Sequence, residues 1–197
     1  MPRLVVYSDY VCPFCYLATP ALARLREQDG IDVEARPFEL RPAPAPLPDP
    51  RAPGLIAAWE GTVLPLAAAA GLEMRLPALR ARTRKAHEAA AFARERHRFQ
   101  PMHEALFRAV FLEGRDIGRI DVLVAIGVAA GLDRTELALA LGLDSYADAV
   151  ARDEQAAAAA DIVAVPAFVA GGEVMEGLLP YEVLRDWLRD VTDRSEP

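Results

Sequence analysis

The sequence predicts an α/β protein in which a β-α-β unit at the start and a β-β-α unit at the end enclose a long helical insertion. Residues 4–6 form an apolar run, helical spacing follows them, and residues 31–36 then alternate between apolar and polar. From about 55 to 161 the spacing is helical and alanine is abundant. After Asp161 the residues are first β-prone and then helical again.

The first unit consists of a buried strand over residues 3–8, a helix from Pro13 to about Gln28, and a second strand over 31–36. Proline suits the first turn of a helix, because its φ is already helical and its missing N–H would have no partner there. The Asp29-Gly30 turn signal ends the helix. Two strands joined through a helix are expected to be parallel.

A proline-rich segment follows, in which every second residue from Pro42 to Pro50 is proline. Such a run cannot form a helix or a central strand and favours extended polyproline II. It is interpreted as a stiff connector over residues 42–54, although it could also be a ligand for proline-binding modules. We therefore expect residues 1–41 and 162–197 to form one discontinuous domain and residues 55–161 an inserted helical domain.

Within the insertion, glycines and acidic residues mark helix ends. A helix is expected from near Pro65 to Gly71, and Gly131 and Gly142 close two others. Asp121 and Asp133 are the predicted N-caps of those two helices.

The last part of the chain predicts a hairpin and a helix. Residues 162–170 and 173–176 are β-prone, and Gly171-Gly172 between them is a hairpin signal. A closing helix begins at Pro180.

The net charge and the apolar content of the chain indicate which partners to expect. The 197 residues carry a net charge of −7 with a pI near 5.0, which argues against nucleic acid or an anionic membrane as a partner. No stretch approaches the roughly 20 apolar residues of a spanning helix. The first residues enter the strand pattern at once, without a secretory leader pattern, so we expect a cytoplasmic protein. A monomer or a homodimer fits the sequence equally.

The only two cysteines, Cys12 and Cys15, form a C-x-x-C motif at the predicted strand-to-helix turn. Unpaired N–H groups and the positive end of the helix dipole favour a thiolate there, so we expect Cys12 to be exposed and acidic, with Cys15 beneath it. This pattern is typical of a thiol–disulfide redox site.

Two other interpretations of the motif remain. A structural zinc site needs four ligands, and the histidines at 87, 97 and 103 do not pair with the motif in sequence, so no metal is expected. The cysteines could also be two buried, inert thiols.

Five segments together resemble a known family. They are YSDYVCPFCY (residues 7–16), RPFEL (36–40), AHEAA (86–90), AVFLEGRDI (109–117) and VPAFV (165–169). The chain resembles the DsbA-like proteins of the thioredoxin fold, and among them the FrnE-like branch of cytoplasmic dithiol oxidoreductases, over nearly its whole length. The first and last segments carry most of this likeness.

The resemblance implies a cis peptide bond between Val165 and Pro166, facing the cysteines. Such a bond is tolerable essentially only before proline, and it would leave the Val165 backbone free to pair with an extended substrate. In this scheme Cys12 attacks a substrate disulfide and Cys15 resolves the mixed disulfide.

The residues around the motif define the expected redox character. Pro13 and Phe14 lie between the cysteines and would tune the potential; DsbA-like oxidants have histidine where this chain has Phe14, so we expect a weaker oxidant. The buried acid of many thioredoxin-like proteins is replaced by Val6, which leaves Asp9 as the nearest carboxylate, either a turn cap, a surface charge or a proton-transfer group. His87 is a candidate for substrate binding or for acid–base catalysis, or a satisfied partner of the backbone or of a carboxylate.

Two rival functions remain open. The kappa-class glutathione transferases and 2-hydroxychromene-2-carboxylate isomerases share the insertion and the cis-proline, but usually have serine at the position of Cys12. A non-catalytic binder or chaperone is the other. Under the redox reading no cofactor is needed beyond the disulfide, glutathione is a possible co-substrate, and the partners are protein or small-molecule thiols and disulfides.

Overall fold

The computed structural model describes residues 3–78 and 81–195. Residues 1–2, 79–80 and 196–197 lie outside the described residues, and they include both outer ends of the predicted discontinuous domain. In chain order the elements are β1 (Arg3–Ser8), α1 (Pro13–Leu17), α2 (Thr19–Gln28), β2 (Asp32–Pro37), α3 (Pro53–Ala58), a π-helical turn (Trp59–Val63), α4 (Leu64–Ala69), α5 (Arg84–Glu95), α6 (Phe99–Phe111), α7 (Ile120–Ala129), α8 (Arg134–Gly142), α9 (Ala147–Ala159), β3 (Ala167–Ala170), β4 (Glu173–Glu176) and α10 (Tyr181–Ser195).

The four strands form one mixed sheet in the order β2-β1-β3-β4. β1 runs parallel to β2 and antiparallel to β3, so that Val6 lies opposite Ala35 on one side and Phe168 on the other. β3 and β4 form an antiparallel hairpin across Gly171 and Gly172, both of which have positive φ. The predicted β-α-β and β-β-α ends are confirmed, and they meet in a single sheet.

Each face of the sheet is covered by a different apolar layer. Side chains alternate along a strand, so Leu4 and Val6 of β1 lie with Leu25 and Leu184, from α2 and α10, in one buried cluster. Tyr7 belongs to a second, larger cluster. That larger cluster contains the two cysteines and much of the interior of the helical insertion. Buried contacts are therefore continuous between the sheet and the insertion, while the division into two domains stays a prediction.

The helix predicted from Pro13 to Gln28 is interrupted at Ala18 and consists of α1 and α2. In an unbroken helix the N–H of residue 20 would donate to the Tyr16 carbonyl, but Pro20 has no N–H. The Thr19 hydroxyl donates to that carbonyl instead, at 2.7 Å. The interruption thus has a local cause.

The proline-rich connector turns rather than continuing as extended polyproline II. The Ala43–Pro44 peptide bond is cis, and the Ala45 N–H donates to the Pro42 carbonyl at 2.9 Å, which is the arrangement of a type VI turn. The helical region starts at Pro53, one residue before the predicted end of the connector. α3, the π-helical turn and α4 follow one another without a gap, where the sequence predicted only a helix near Pro65.

The predicted helix caps are partly confirmed. The Asp133 carboxylate accepts hydrogen bonds from the N–H groups of Thr135 and Glu136, as expected of an N-cap. The prediction for Asp121 is wrong, because α7 has Arg119 as its N-cap residue and Asp121 lies in the first turn, where its carboxylate is ion-paired with Arg119. A negative charge in the first turn still interacts favourably with the positive end of the helix dipole.

β3 is shorter than the β-prone run from which it was predicted. It begins at Ala167 although that run starts at residue 162, since Pro166 has no N–H to donate to a neighbouring strand. Among the described helices, none combines the length and the apolar character needed to cross a bilayer.

The contact between α7 and α8 gives a prediction for stability. A Cβ added at Gly127 would lie 2.3 Å from Cδ2 of Leu137, which is fully buried. Overpacking should cost about 1–3 kcal/mol and the helix propensity of alanine should return about 1 kcal/mol. We therefore expect Gly127→Ala to lower the free energy of unfolding by up to about 2 kcal/mol. Urea denaturation would measure it.

Gly54→Ala is the matched control, because no atom lies within 4 Å of a Cβ at that position in α3. It should leave stability unchanged or raise it by up to about 1 kcal/mol. If Gly127→Ala were as stable as Gly54→Ala, the close packing of α7 on α8 would be contradicted.

Candidate active site

The C-x-x-C motif lies where β1 ends and α1 begins. Cys12 is the N-cap residue of α1, with extended backbone angles (φ −85°, ψ 115°), and Pro13 occupies the first turn. The Cys12 N–H donates to the Asp9 carbonyl at 3.1 Å, which closes the turn between strand and helix. The sequence therefore places the first thiol at the start of a helix, as predicted, and Cys15 one turn further along.

The predicted exposure of Cys12 is wrong. Cys12 and Cys15 both expose only 3% of their surface, and both are free thiols. Cys12 belongs to the large buried cluster that contains Val165 as well as residues of the insertion, and its sulfur lies 3.4 Å from the Val165 carbonyl oxygen.

The two thiols nevertheless have opposite ionisation properties. A hydrogen bond from the Cys15 thiol, assisted by backbone hydrogen bonds from Cys15 and Phe14, holds the pKa of Cys12 below its ordinary value, although burial and the Asp9 carboxylate oppose this. Burial, together with the hydrogen bond to Cys12, raises the pKa of Cys15 well above its ordinary value. The thiolate of the pair thus forms on Cys12, which is the form that attacks disulfides.

The other end of the chain completes the site. The Val165–Pro166 peptide bond is cis, as expected, and the Cys12 thiol donates to the Val165 carbonyl with Sγ and O 3.4 Å apart. The segment before it is held by Glu176 of β4, whose carboxylate accepts from the N–H groups of Val163 and Ala164 at 2.7 and 2.8 Å. Val165 and Pro166 therefore lie against the motif, as predicted.

Asp9 is neither a surface charge nor a plain turn cap. It is fully buried; Oδ2 accepts a hydrogen bond from the Leu40 N–H at 2.7 Å, and Oδ1 lies 3.5 Å from Nε2 of His87. His87, on α5, exposes 4% of its surface. Its predicted role in substrate binding stays a prediction, and its position is that of a buried partner of a carboxylate behind the cysteine pair.

A cavity of about 190 Å³ opens beside the motif. Val11 and Pro13, the two neighbours of Cys12 in sequence, line one side of it. The other side is formed by six residues that we call the cover: Leu40, Arg41, Leu47, Pro48, Leu55 and Trp59. The cavity is mainly apolar with a single cation among those residues, and it is large enough for part of a small organic molecule.

Sequence reasoning missed several of these residues. Trp59 gave no signal, because an apolar residue in a helical pattern is ordinary core. Glu176 was assigned to a strand, and its side-chain contact with the loop before Pro166 depends on the hairpin register. Among the described residues, no group of three histidine, cysteine, aspartate or glutamate side chains is arranged to hold a metal ion.

Comparisons with known proteins agree with this geometry. A model of the DSBA-like thioredoxin domain matches residues 3–189. The uncharacterized protein YwbO of Bacillus subtilis (strain 168) is 34% identical over 192 residues, which cover 95% of this chain and 96% of YwbO.

Two solved structures superpose over almost the whole chain. A probable DsbA oxidoreductase from Streptomyces coelicolor, SCO1869, has a TM-score of 0.84 at 30% identity, over 100% of this chain and 92% of its own. A 2-hydroxychromene-2-carboxylate isomerase has a TM-score of 0.82 at 19% identity, over 98% and 97% of the two chains, and at this identity the likeness concerns the fold alone.

The ionisation of the two thiols gives a prediction. In the reduced protein, iodoacetamide should modify Cys12 with a pH midpoint below about 8.5, the ordinary value for cysteine, while Cys15 stays unmodified until the protein is unfolded. Peptide mass spectrometry at several pH values would locate the label. Cys15→Ala removes the hydrogen bond to the Cys12 sulfur and should raise the midpoint; modification of Cys15 before Cys12 would contradict the assignment.

Proposed function

Because this chain belongs to the DSBA-like thioredoxin domain family, we propose that it is a thiol–disulfide oxidoreductase that uses Cys12 and Cys15 as its redox pair. The observation that carries the proposal is the position of the pair. Cys12 is the N-cap residue of α1, Cys15 follows one turn later, and the Cys12 sulfur lies 3.4 Å from the carbonyl oxygen of Val165. A thiol at a helix start is placed where the thiolate is favoured, and the lowered pKa of Cys12 agrees with this position.

The reaction follows from the geometry. A Cys12 thiolate attacks one sulfur of a substrate disulfide, forms a mixed disulfide and releases the other substrate sulfur as a thiolate. Cys15 then loses its proton and attacks the Cys12 sulfur, so that a Cys12–Cys15 disulfide forms and the reduced substrate leaves. The opposite direction begins with attack of a substrate thiolate on the Cys12 sulfur.

The partners we propose are small-molecule thiols and disulfides, with glutathione as a possible co-substrate, and protein segments where they can enter. The 3% exposure of Cys12 supports the first class, since a nearly buried sulfur is harder to reach for a folded protein than for a small molecule. The chemistry requires no cofactor beyond the disulfide. The cytoplasmic location, the absence of nucleic-acid and membrane partners and the monomeric or dimeric state expected from the sequence stay predictions.

A second candidate is a glutathione-dependent isomerase or transferase. The cavity of about 190 Å³ beside the motif favours it, because its size suits a small substrate rather than a protein surface. In that chemistry Cys15 would be dispensable, which provides a direct way to separate the two functions.

Trapping of a mixed disulfide distinguishes the two candidate functions. Cys15→Ser should accumulate a stable mixed disulfide at Cys12 after incubation with oxidised glutathione, because the resolving thiol is gone. A scrambled, disulfide-bonded ribonuclease should give the same adduct more slowly. Non-reducing electrophoresis and intact-mass measurement would detect both adducts.

Cys12→Ser is the control and should form no adduct with either disulfide. An isomerase would instead keep its full turnover of a 2-hydroxychromene-2-carboxylate substrate in Cys15→Ser. Absence of any adduct in Cys15→Ser, with oxidised glutathione in excess, would contradict the redox proposal.

The reduction potential tests the expected weak oxidising power. The side chain of Phe14 has no group that can donate to a thiolate, and burial opposes the ionisation of Cys12. We expect glutathione equilibration to give a potential well below the value of about −120 mV found for a strong oxidant. A potential near that value would contradict this argument.

A further inference from the structure

A buried pair of ionisable groups lies behind the cysteines and has no part in the reaction described above. Asp9 Oδ1 and His87 Nε2 face each other at 3.5 Å, and neither atom has a hydrogen-bond partner. Asp9 is fully buried and His87 is 4% exposed. Unpartnered polar atoms at this depth are costly and call for an explanation.

Asp9 is linked to both cysteines. Its carbonyl accepts from the Cys12 N–H at 3.1 Å, and it precedes Cys12 by three residues in the turn before α1. Its negative charge opposes the ionisation of both thiols, because it is among the causes that raise the pKa of Cys12 and of Cys15. Whatever neutralises Asp9 therefore favours a thiolate in the motif.

The other ionisable groups around His87 are occupied elsewhere or lie further from the cysteines. Tyr10 contacts the imidazole with ring centroids 5.0 Å apart, and burial raises its pKa, so it stays neutral. Glu39 is paired with Arg84 at 2.7 Å, and Arg84 also contacts Glu154.

The remaining neighbours of His87 are a second histidine and a small cavity. His103 accepts from or donates to the Tyr10 hydroxyl at 3.0 Å, and burial lowers its pKa to about 3, so it is uncharged. Arg94, Arg36 and Asp153 line a cavity of about 30 Å³ that also touches His87. That volume is enough for one water molecule.

We propose that His87 is a positioning residue for the redox reaction, which acts through Asp9. With a proton on its imidazole it neutralises the Asp9 carboxylate and favours the Cys12 thiolate; without that proton the charge of Asp9 opposes the thiolate. This inference rests on the proposed function. It gives a residue of the helical insertion a role in the ionisation of Cys12, which lies beyond the end of β1.

The physical reason is the low dielectric of the buried site. Charges a few ångströms apart interact far more strongly there than in water, and a like charge disfavours ionisation of a neighbour. Because an imidazole can gain or lose a proton, the ionisation of Cys12 should be linked to the protonation of His87 and extend over a wider pH range than a single thiol requires.

The test is a double-mutant cycle that reads the Cys12 thiolate by its absorbance at 240 nm in the reduced protein, from pH 4 to 10. His87→Gln should raise the midpoint by about one pH unit, because the Asp9 charge is then never compensated. Asp9→Asn keeps an oxygen for the Leu40 N–H and should lower the midpoint. In the double variant, Asp9→Asn with His87→Gln, the midpoint should stay close to that of Asp9→Asn alone.

His103→Gln is the matched control, since it removes another buried histidine that does not contact Asp9. It should leave the midpoint unchanged. The proposal would be overturned if His87→Gln shifted the midpoint equally with and without the Asp9 carboxylate, or no more than His103→Gln does. If His87→Gln fails to fold, Asp9→Asn alone decides, because an unchanged midpoint and an unchanged breadth would overturn the linkage.

Failure of this inference is distinguishable from failure of the proposed function. A wild-type protein that exchanges disulfides with oxidised glutathione, but whose thiolate titration is indifferent to His87, contradicts only the role of His87. A wild-type protein that forms no mixed disulfide at all contradicts the proposed function.

Discussion

The site depends on one contact between the two ends of the chain. The Cys12 thiol meets the Val165 carbonyl across 153 positions of sequence. The antiparallel pairing of β1 with β3, in which Tyr7 lies opposite Ala167, brings the end of β1 close to the segment before β3. Glu176 then holds the loop in front of Pro166 from the neighbouring strand. The contact between Cys12 and Val165 therefore depends on a complete sheet.

The helical insertion is part of the site as well as a neighbour of it. It contributes Trp59 to the cover and His87 to the buried pair with Asp9, and its apolar interior is continuous with the cluster that contains both cysteines. The fold thus surrounds the Cys12 thiol with groups from elements that are distant in sequence. The hydrogen bonds that lower the pKa of Cys12 come from within the motif, whereas its burial depends on the rest of the fold.

The features that the sequence could predict are local ones. The strand-helix-strand order, the position of Cys12 at a helix start, the Gly171-Gly172 hairpin and the Asp133 cap all depend on residues close together in the chain, and periodicity and turn chemistry report on such residues. The position of Pro166 could be expected only through the resemblance to a family.

What escaped prediction was set by contacts between distant segments. The expected exposure of Cys12 was wrong because the turn sequence contains no information about the distant segments that pack on it, such as the one that carries Val165. Likewise, nothing near Asp9 in the sequence indicates that a histidine on α5 faces it. The interruption at Ala18 is a different case, since Thr19 and Pro20 were present as local signals and were outweighed by the helical spacing around them.

The hydrogen bond from Cys12 to Val165 links the state of the sulfur to the backbone beside Pro166. Only a protonated sulfur can donate to that carbonyl, so loss of the thiol proton leaves a nearly buried backbone acceptor without this donor. The hydrogen bonding of the Val165 carbonyl therefore changes with the protonation state of Cys12.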